Sequence, residues 1–231
     1  MNTSAVGAGV LILAAYAWPA RADEPSPISL EGTFTILSDY AYRGISRTPG
    51  AIAGQLSLEL VHTGGFFTGM FFSNVRDPLG RDVEAEFYAG YTWTLGAYEL
   101  TARLSYDSFH GGGDSTGYVQ LQGTLARDFG LAYLAAGFAF TPDHREFGTG
   151  RSAYWFSEAE FPLPFPNQPP MSIAFKAGYE NFSGGFDKWD WSVGFYLEKW
   201  TLEWGLVYHD TNLTNVAGAS GNLLFSVRKY F

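Results

Sequence analysis

The stretch that most constrains this chain is its last ten residues, Asn222 to Phe231. Leu223, Phe225, Val227 and Phe231 occupy every second position of one row, broken only by Lys229. Leu224, Ser226, Arg228 and Tyr230 form a more polar row between them. A period of two is the mark of a β-strand with one apolar face. Such a strand exposes unpaired backbone groups along its free edge and invites aggregation unless another strand covers it. The chain's own first strand is the nearest cover, and pairing with it closes the sheet into a barrel.

The rest of the sequence repeats this pattern. Twelve runs alternate in character: Thr33–Ser46, Ala51–Val61, Phe66–Val75, Val83–Leu95, Tyr98–Asp107, Tyr118–Phe129, Leu131–Phe140, Ala153–Phe161, Met171–Glu180, Trp189–Glu198, Thr201–Asp210 and Leu223–Phe231. Most approach the ~9–11 residues that a tilted strand needs to cross a bilayer, and the number is even, as in single-chain bacterial barrels. The connections alternate too. Arg76–Asp82, Ser108–Gly117, Thr141–Ser152, Asn181–Lys188 and Thr211–Asn222 are long, whereas His62–Gly65, Gly96-Ala97, Asp128–Gly130 and Lys199-Trp200 are tight. Short turns at one end and longer loops at the other are the pattern of an outer-membrane barrel. Arg47–Gly50, read as a short outer loop, and Pro162–Pro170, a long inner turn, break it.

Aromatic residues make up 18% of the 231, and topology collects many of them at strand ends. Tyr40, Tyr42, Tyr106, Phe140, Tyr179, Trp189, Trp191 and Tyr208 are expected at the outer interface, and Phe67, Trp93, Tyr98, Phe129, Phe161, Trp204 and Phe231 at the inner one. Two girdles around an aliphatic band suit a lipid-facing wall. A soluble β-sandwich also has alternating strands, but gives no reason for loop lengths to alternate or aromatics to cluster at both ends. The fold class expected is therefore all-β, a single twelve-stranded antiparallel transmembrane barrel. Residues 1–22 read as a secretory signal, with an apolar run from Val6 to Trp18 and Ala20-Arg21-Ala22 as the cleavage site. Residues 23–30 would be a periplasmic lead-in and 31–231 the barrel of a Gram-negative cell outer membrane. With no Cys there is no disulfide framework, and a net charge of −9 argues against nucleic acid as a partner.

Ser38-Asp39-Tyr40-Ala41-Tyr42-Arg43-Gly44-Ile45-Ser46 resembles a motif of the TorF family of outer-membrane porins, and Ser73-Asn74-Val75 is similar to that family as well. The resemblance spans the chain in length, strand count and terminal Phe231, and it implies an outer-membrane barrel whose end serves as the assembly signal. Lys229 departs from it, standing where such signals carry an aromatic. The expected partners are outer-membrane lipid and lipopolysaccharide, the barrel assembly machinery and small solutes. Read from the residues alone, Asp39 and Arg43 lie four apart on one strand and face the lumen, Tyr40 and Tyr42 face lipid, and Gly44 relaxes the strand into a loop. A register-fixing ion pair and a solute contact are both open to Asp39 and Arg43.

Catalytic chemistry finds little support. His62, His110, His144 and His209 have no His partner two or four residues away, no Gly-x-Ser-x-Gly is present, and no Ser is paired with His209-Asp210. His110-Gly111-Gly112-Gly113-Asp114 follows a strand but opens no helix, so it reads as a loop tip. Neither enzyme, metal site nor cofactor is expected. The leading expectation is a passive channel for small hydrophilic solutes, and the rival is a non-conducting structural or surface-interaction barrel whose lumen is filled. Barrels of about 8 strands are filled and those of about 16–18 are open, so twelve strands allow either. The pore-lining candidates are Asp39, Arg43, Glu59, Glu84, Glu86, Glu99, Arg103, Asp107, Lys176 and Glu180. Adding Glu158, Glu160, Asp190, Glu198, Glu203 and Arg228 gives twelve acidic against four basic inward charges. That excess predicts a cation preference, to which Glu84 and Glu86 contribute.

Overall fold

A computed structural model describes residues 26–76, 80–112, 116–143 and 150–231. The expected signal sequence, the start of the lead-in, Asp114 and His144 lie outside the described residues. Twelve strands form one closed antiparallel barrel. They are β1 (Ile28–Leu37), β4 (Ala53–His62), β5 (Phe66–Asn74), β6 (Arg81–Leu95), β7 (Tyr98–Gly111), β8 (Thr116–Asp128), β9 (Tyr133–Thr141), β10 (Ser152–Pro162), β11 (Met171–Phe182), β12 (Asp187–Lys199), β13 (Leu202–Thr211) and β14 (Asn222–Tyr230). Two further short strands, β2 (Ala41–Tyr42) and β3 (Ile45–Ser46), pair only with each other. No helix occurs among the described residues.

Each barrel strand pairs with its sequence neighbour, and β1 closes the ring on β14. The seam runs from the Leu37–Ser226 pair to the Thr33–Tyr230 pair and continues to Phe231: the Gly32 amide donates to the Phe231 carbonyl at 2.8 Å, and the Phe231 amide donates back at 3.0 Å. The Phe231 ring lies over Gly32, where any Cβ would collide with it. Closure removes the edge that made the last ten residues a liability. The strand begins at Ile28 and so takes in the last residues expected as lead-in.

Alternation sorts residues between the two faces of the wall. On β6, Phe87 is 50% exposed on the outside, whereas its neighbour Glu86 is 2% exposed inside. Tyr106, Trp189, Trp191 and Tyr208 are exposed outward near the long loops, and Trp93, Tyr98, Phe129, Phe161 and Phe231 near the short turns. These two ends are called the loop end and the turn end below. Phe67 is a correction to the girdle: it is buried inside, and Phe66 takes the outward place.

The larger correction concerns the first connection. The expected strand Thr33–Ser46 stops at Leu37, because the chain leaves the sheet and folds back into the barrel. Ala41 pairs with Ser46 and Tyr42 with Ile45, around a two-residue turn of Arg43 and Gly44. Both turn residues have positive φ, 48° and 79°, the twist that matches a tight hairpin. Gly44 therefore makes the turn itself. Tyr40 and Tyr42 do not face outward: Tyr40 is buried with Ala53, Phe71, Val75, Phe109 and Tyr118, and Tyr42 and Leu37 pack against that cluster. The apparent short outer loop Arg47–Gly50 is only the return leg of a long connection. With it, the first loop-end connection runs from residue 38 to residue 52.

Candidate functional site

The hairpin lies inside the loop end of the barrel, and Arg43 and Arg47 both reach β8, Arg43 extending on to β11 and Arg47 to β6. Arg43 Nη1 is 2.7 Å from Glu180 Oε1 on β11, and Nη2 donates to Gln120 Oε1 on β8 at 3.1 Å. Arg47 pairs with Glu84 on β6 and donates to the Tyr118 hydroxyl on β8. Lys188 on β12 donates to the Arg43 carbonyl at 2.6 Å and also lies 3.1 Å from Asp190 and 3.4 Å from Glu180. Asp39 holds the base of the hairpin, accepting from Ser46 Oγ (2.6 Å), Thr48 Oγ1 (2.8 Å) and Asn222 Nδ2 (3.1 Å). From above, the Gly218 carbonyl of the last loop accepts from the Ser46 amide.

One wall arrangement recurs twice. Inward Tyr154 on β10 lies flat over Gly178 of β11, where a Cβ would strike its ring. The Arg43 guanidinium sits 4.0 Å from that ring centroid and reaches on to Glu180. In the same way Tyr88 on β6 lies over Gly69 of β5, Arg103 sits 4.1 Å above the Tyr88 ring, and Arg103 pairs with Glu86 at 2.6 Å. A glycine lets the ring hug the sheet, and the ring supports the arginine through its negative face.

The sequence-predicted residues thus divide. Asp39, Arg43, Glu84, Glu86, Asp107 and Glu180 converge around the hairpin, all buried, with Asp107 opposite Glu86 in the β6–β7 register, and buried Arg103 lies below them toward the turn end, on Glu86. Arg43 and Asp39 belong to the hairpin, not to one straight strand. Lys176 pairs with Glu158 at 2.7 Å, and Arg228 with Glu203 at 3.1 Å, nearer the turn end. Glu59 is buried there beside Glu31, its register partner, and Glu99 is half-buried on the inward row of β7. Arg47, Arg81 and Lys188 went unrecognised as interior residues, because each follows or precedes a loop and alternation fades there. A register shift between Arg81 and Val83 turns Arg81 inward. The Arg43-Gly44 pair in mid-run was the signal that a turn interrupts the first strand.

A family model described as a bacterial protein of unknown function (Gcw_chp) matches residues 21–229. No curated protein matches the sequence. Among solved structures, the NanC porin superposes with a TM-score of 0.57 at 7% identity, over 87% of this chain and 98% of that one. The KdgM porin in complex with disordered oligogalacturonate superposes with a TM-score of 0.56 at 7% identity, over the same shares of the two chains. At such identity the likeness is one of fold: this is a porin-like barrel.

Proposed function

The chain belongs to the Gcw_chp family of bacterial proteins of unknown function, and we propose that it is a non-enzymatic, porin-like channel of the Gram-negative outer membrane for passive diffusion of small hydrophilic solutes. The observation that carries this reading is a closed twelve-strand barrel with an apolar, aromatic-girdled outside and an inside rich in acidic and basic side chains. The porin folds of KdgM and NanC and the TorF resemblance at Ser38–Ser46 support it. In this reading a signal sequence is removed, both mature termini are periplasmic, the loop end faces outward, and the partners are outer-membrane lipid, lipopolysaccharide, the assembly machinery and the solutes themselves.

The bore prefers cations. Arg47, Arg81 and Lys188 raise the four expected inward bases to seven, and Glu31 raises the twelve acids to thirteen, which leaves six carboxylates in excess. Among the described residues no ion pair holds Glu31, Glu59, Glu160 or Glu198, all on inward rows toward the turn end. Uncompensated carboxylates in a narrow, low-dielectric passage concentrate counter-ions. Purified protein in planar bilayers tests both points: discrete conductance steps are expected, with a reversal potential of cation sign under a KCl gradient. The rival reading, a barrel filled by its own side chains, is favoured by burial of Tyr40, Arg43 and Arg47 inside the loop end. Total absence of conductance steps would select it.

A further inference from the structure

A groove of about 620 Å³ crosses β8–β12 on the outside of the barrel. Two outward rows of register partners border it. One runs from Leu125 through Ala136, Ser157 and Ala177 to Trp191, and the other from Arg127 through Ala159 to Val193. The row between them, from Ala126 to Ser192, points its side chains into the lumen, so its backbone is the floor. Depth comes from short side chains, since Ala136, Ser157 and Ala177 stand side by side. On their loop-end side the outward rings of Phe138, Trp155, Tyr179 and Trp189 make a wall, with successive centroids 5.3, 5.9 and 4.7 Å apart.

The groove climbs as it crosses. Leu125 is three residues from Asp128, the turn-end limit of β8, whereas Trp191 is eight from Lys199, the turn-end limit of β12. Four steps between strands of about 4.8 Å make it roughly 19 Å long, enough for a chain inclined through the ~15 Å of hydrocarbon in one leaflet. Its low end carries a cation. Arg127 donates to the Tyr98 hydroxyl at 3.1 Å, and its guanidinium lies 4.9 Å from the Tyr98 ring centroid and 4.5 Å from that of Phe129. Both rings are exposed in the turn-end girdle, so the charge is held at the interface. Arg127 joins no ion pair among the described residues. The carboxylate of Asp128 beside it accepts instead from the Gly130 amide at 2.7 Å. No other charged residue stands in the two bordering rows.

We propose that this groove seats one glycerophospholipid of the leaflet on the turn-end side, its phosphate on Arg127 and one acyl chain along Ala136, Ser157 and Ala177 toward Trp191. Charge at the interface and depth above it match the two halves of such a lipid. The site needs the barrel to lie in a membrane, not to conduct. Native mass spectrometry of the folded barrel in detergent, titrated with dioleoyl phosphatidylglycerol, is expected to show one lipid bound ahead of any others. Ser157→Leu and Ala136→Leu fill the groove and should each lose that lipid, while Ala89→Leu, on the outward row of β6, should keep it. Arg127→Gln should raise the concentration for half occupancy about fivefold, the effect of one basic residue at a membrane surface. Dioleoylglycerol, with the same chains and no phosphate, should show no preferred first binding. Heat-modifiable gel migration checks that each variant is folded. Unchanged binding in the filled variants or in Arg127→Gln, or equal binding of dioleoylglycerol, overturns the proposal. So does a lipid-free pair of barrels that Ser157→Leu separates, which would give the groove to a second copy of this chain. The channel reading fails separately: a barrel that conducts without a preferred lipid removes the site alone, and one that keeps the lipid but never conducts removes the channel alone.

Discussion

The two ends of the lumen treat charge in opposite ways. At the loop end Arg43, Arg47, Glu84, Glu180 and Lys188 are buried and joined to one another across the bore by a hairpin. At the turn end Glu31, Glu160 and Glu198 are half-buried and held by no ion pair among the described residues. Both sets sit on the same alternating rows of the same strands. What differs is the filling. Burying an ion is expensive unless a partner and hydrogen bonds replace its water; around the hairpin Arg43 is paired with Glu180 and Arg47 with Glu84, whereas toward the turn end carboxylates outnumber the ion pairs. In the proposed channel, matched charges fix structure and unmatched ones would act on passing ions.

The strongest way to break this comparison is to empty the loop end. Leu37 and Ala53 are register partners, so a two-residue turn can replace residues 38–52 and keep the β1–β4 register. Single-channel conductance is expected to rise several-fold. An unchanged conductance would place the narrow point elsewhere.

A second test compares single charges by stability. Arg47→Gln removes the arginine from a buried pair with Glu84, which is 0% exposed. Removing one member of a buried pair costs about 3–5 kcal/mol. Glu59→Gln, at a site with no ion pair, should stay within about 1 kcal/mol of wild type. Urea unfolding in lipid vesicles measures both; equal effects would erase the distinction between the ends.

Selectivity provides the third. Because Glu84 and Glu86 are each joined to an arginine, Glu84→Gln with Glu86→Gln should shift the KCl reversal potential little, contrary to the weight alternation alone gives them. Glu59→Gln, Glu160→Gln and Glu198→Gln together should pull it toward zero. The reverse order of effects would assign selection to the hairpin level.

Most of the barrel was legible because period-two alternation decides which face a side chain takes, whatever its partners. Twelve strands and most inward carboxylates followed from that rule. The hairpin was not legible for the same reason. Residues 38–46 keep a period of two inside a two-stranded ribbon, so Tyr40 and Tyr42 read as wall residues although the ribbon has left the wall. Only Arg43-Gly44 carried the break, and positive φ at an arginine is a conformation alternation cannot report. Ion pairing was equally hidden, since Arg43 and Glu180 stand 137 residues apart.

The smallest expected effect tests how the loop end positions Arg43. Gly178 has ordinary backbone geometry, so what it supplies is space: Tyr154 lies where a methyl group would go. Gly178→Ala must lift that ring, and Arg43, 4.0 Å above its centroid, must rise with it or give up the stacking. Overpacking of this kind costs about 1–3 kcal/mol, and a displaced guanidinium weakens the Glu180 contact as well. Gly69→Ala applies the same wedge beneath Tyr88 and Arg103, toward the turn end, with no hairpin above it. Both should lower stability by similar amounts, but only Gly178→Ala should also alter conductance, because only there does the supported arginine belong to the hairpin. Gly54→Ala is the control, since its nearest neighbour would be Asn74 Oδ1 at 3.9 Å. If Gly178→Ala matches Gly54→Ala in both measurements, the tyrosine is not what holds the hairpin arginine in place.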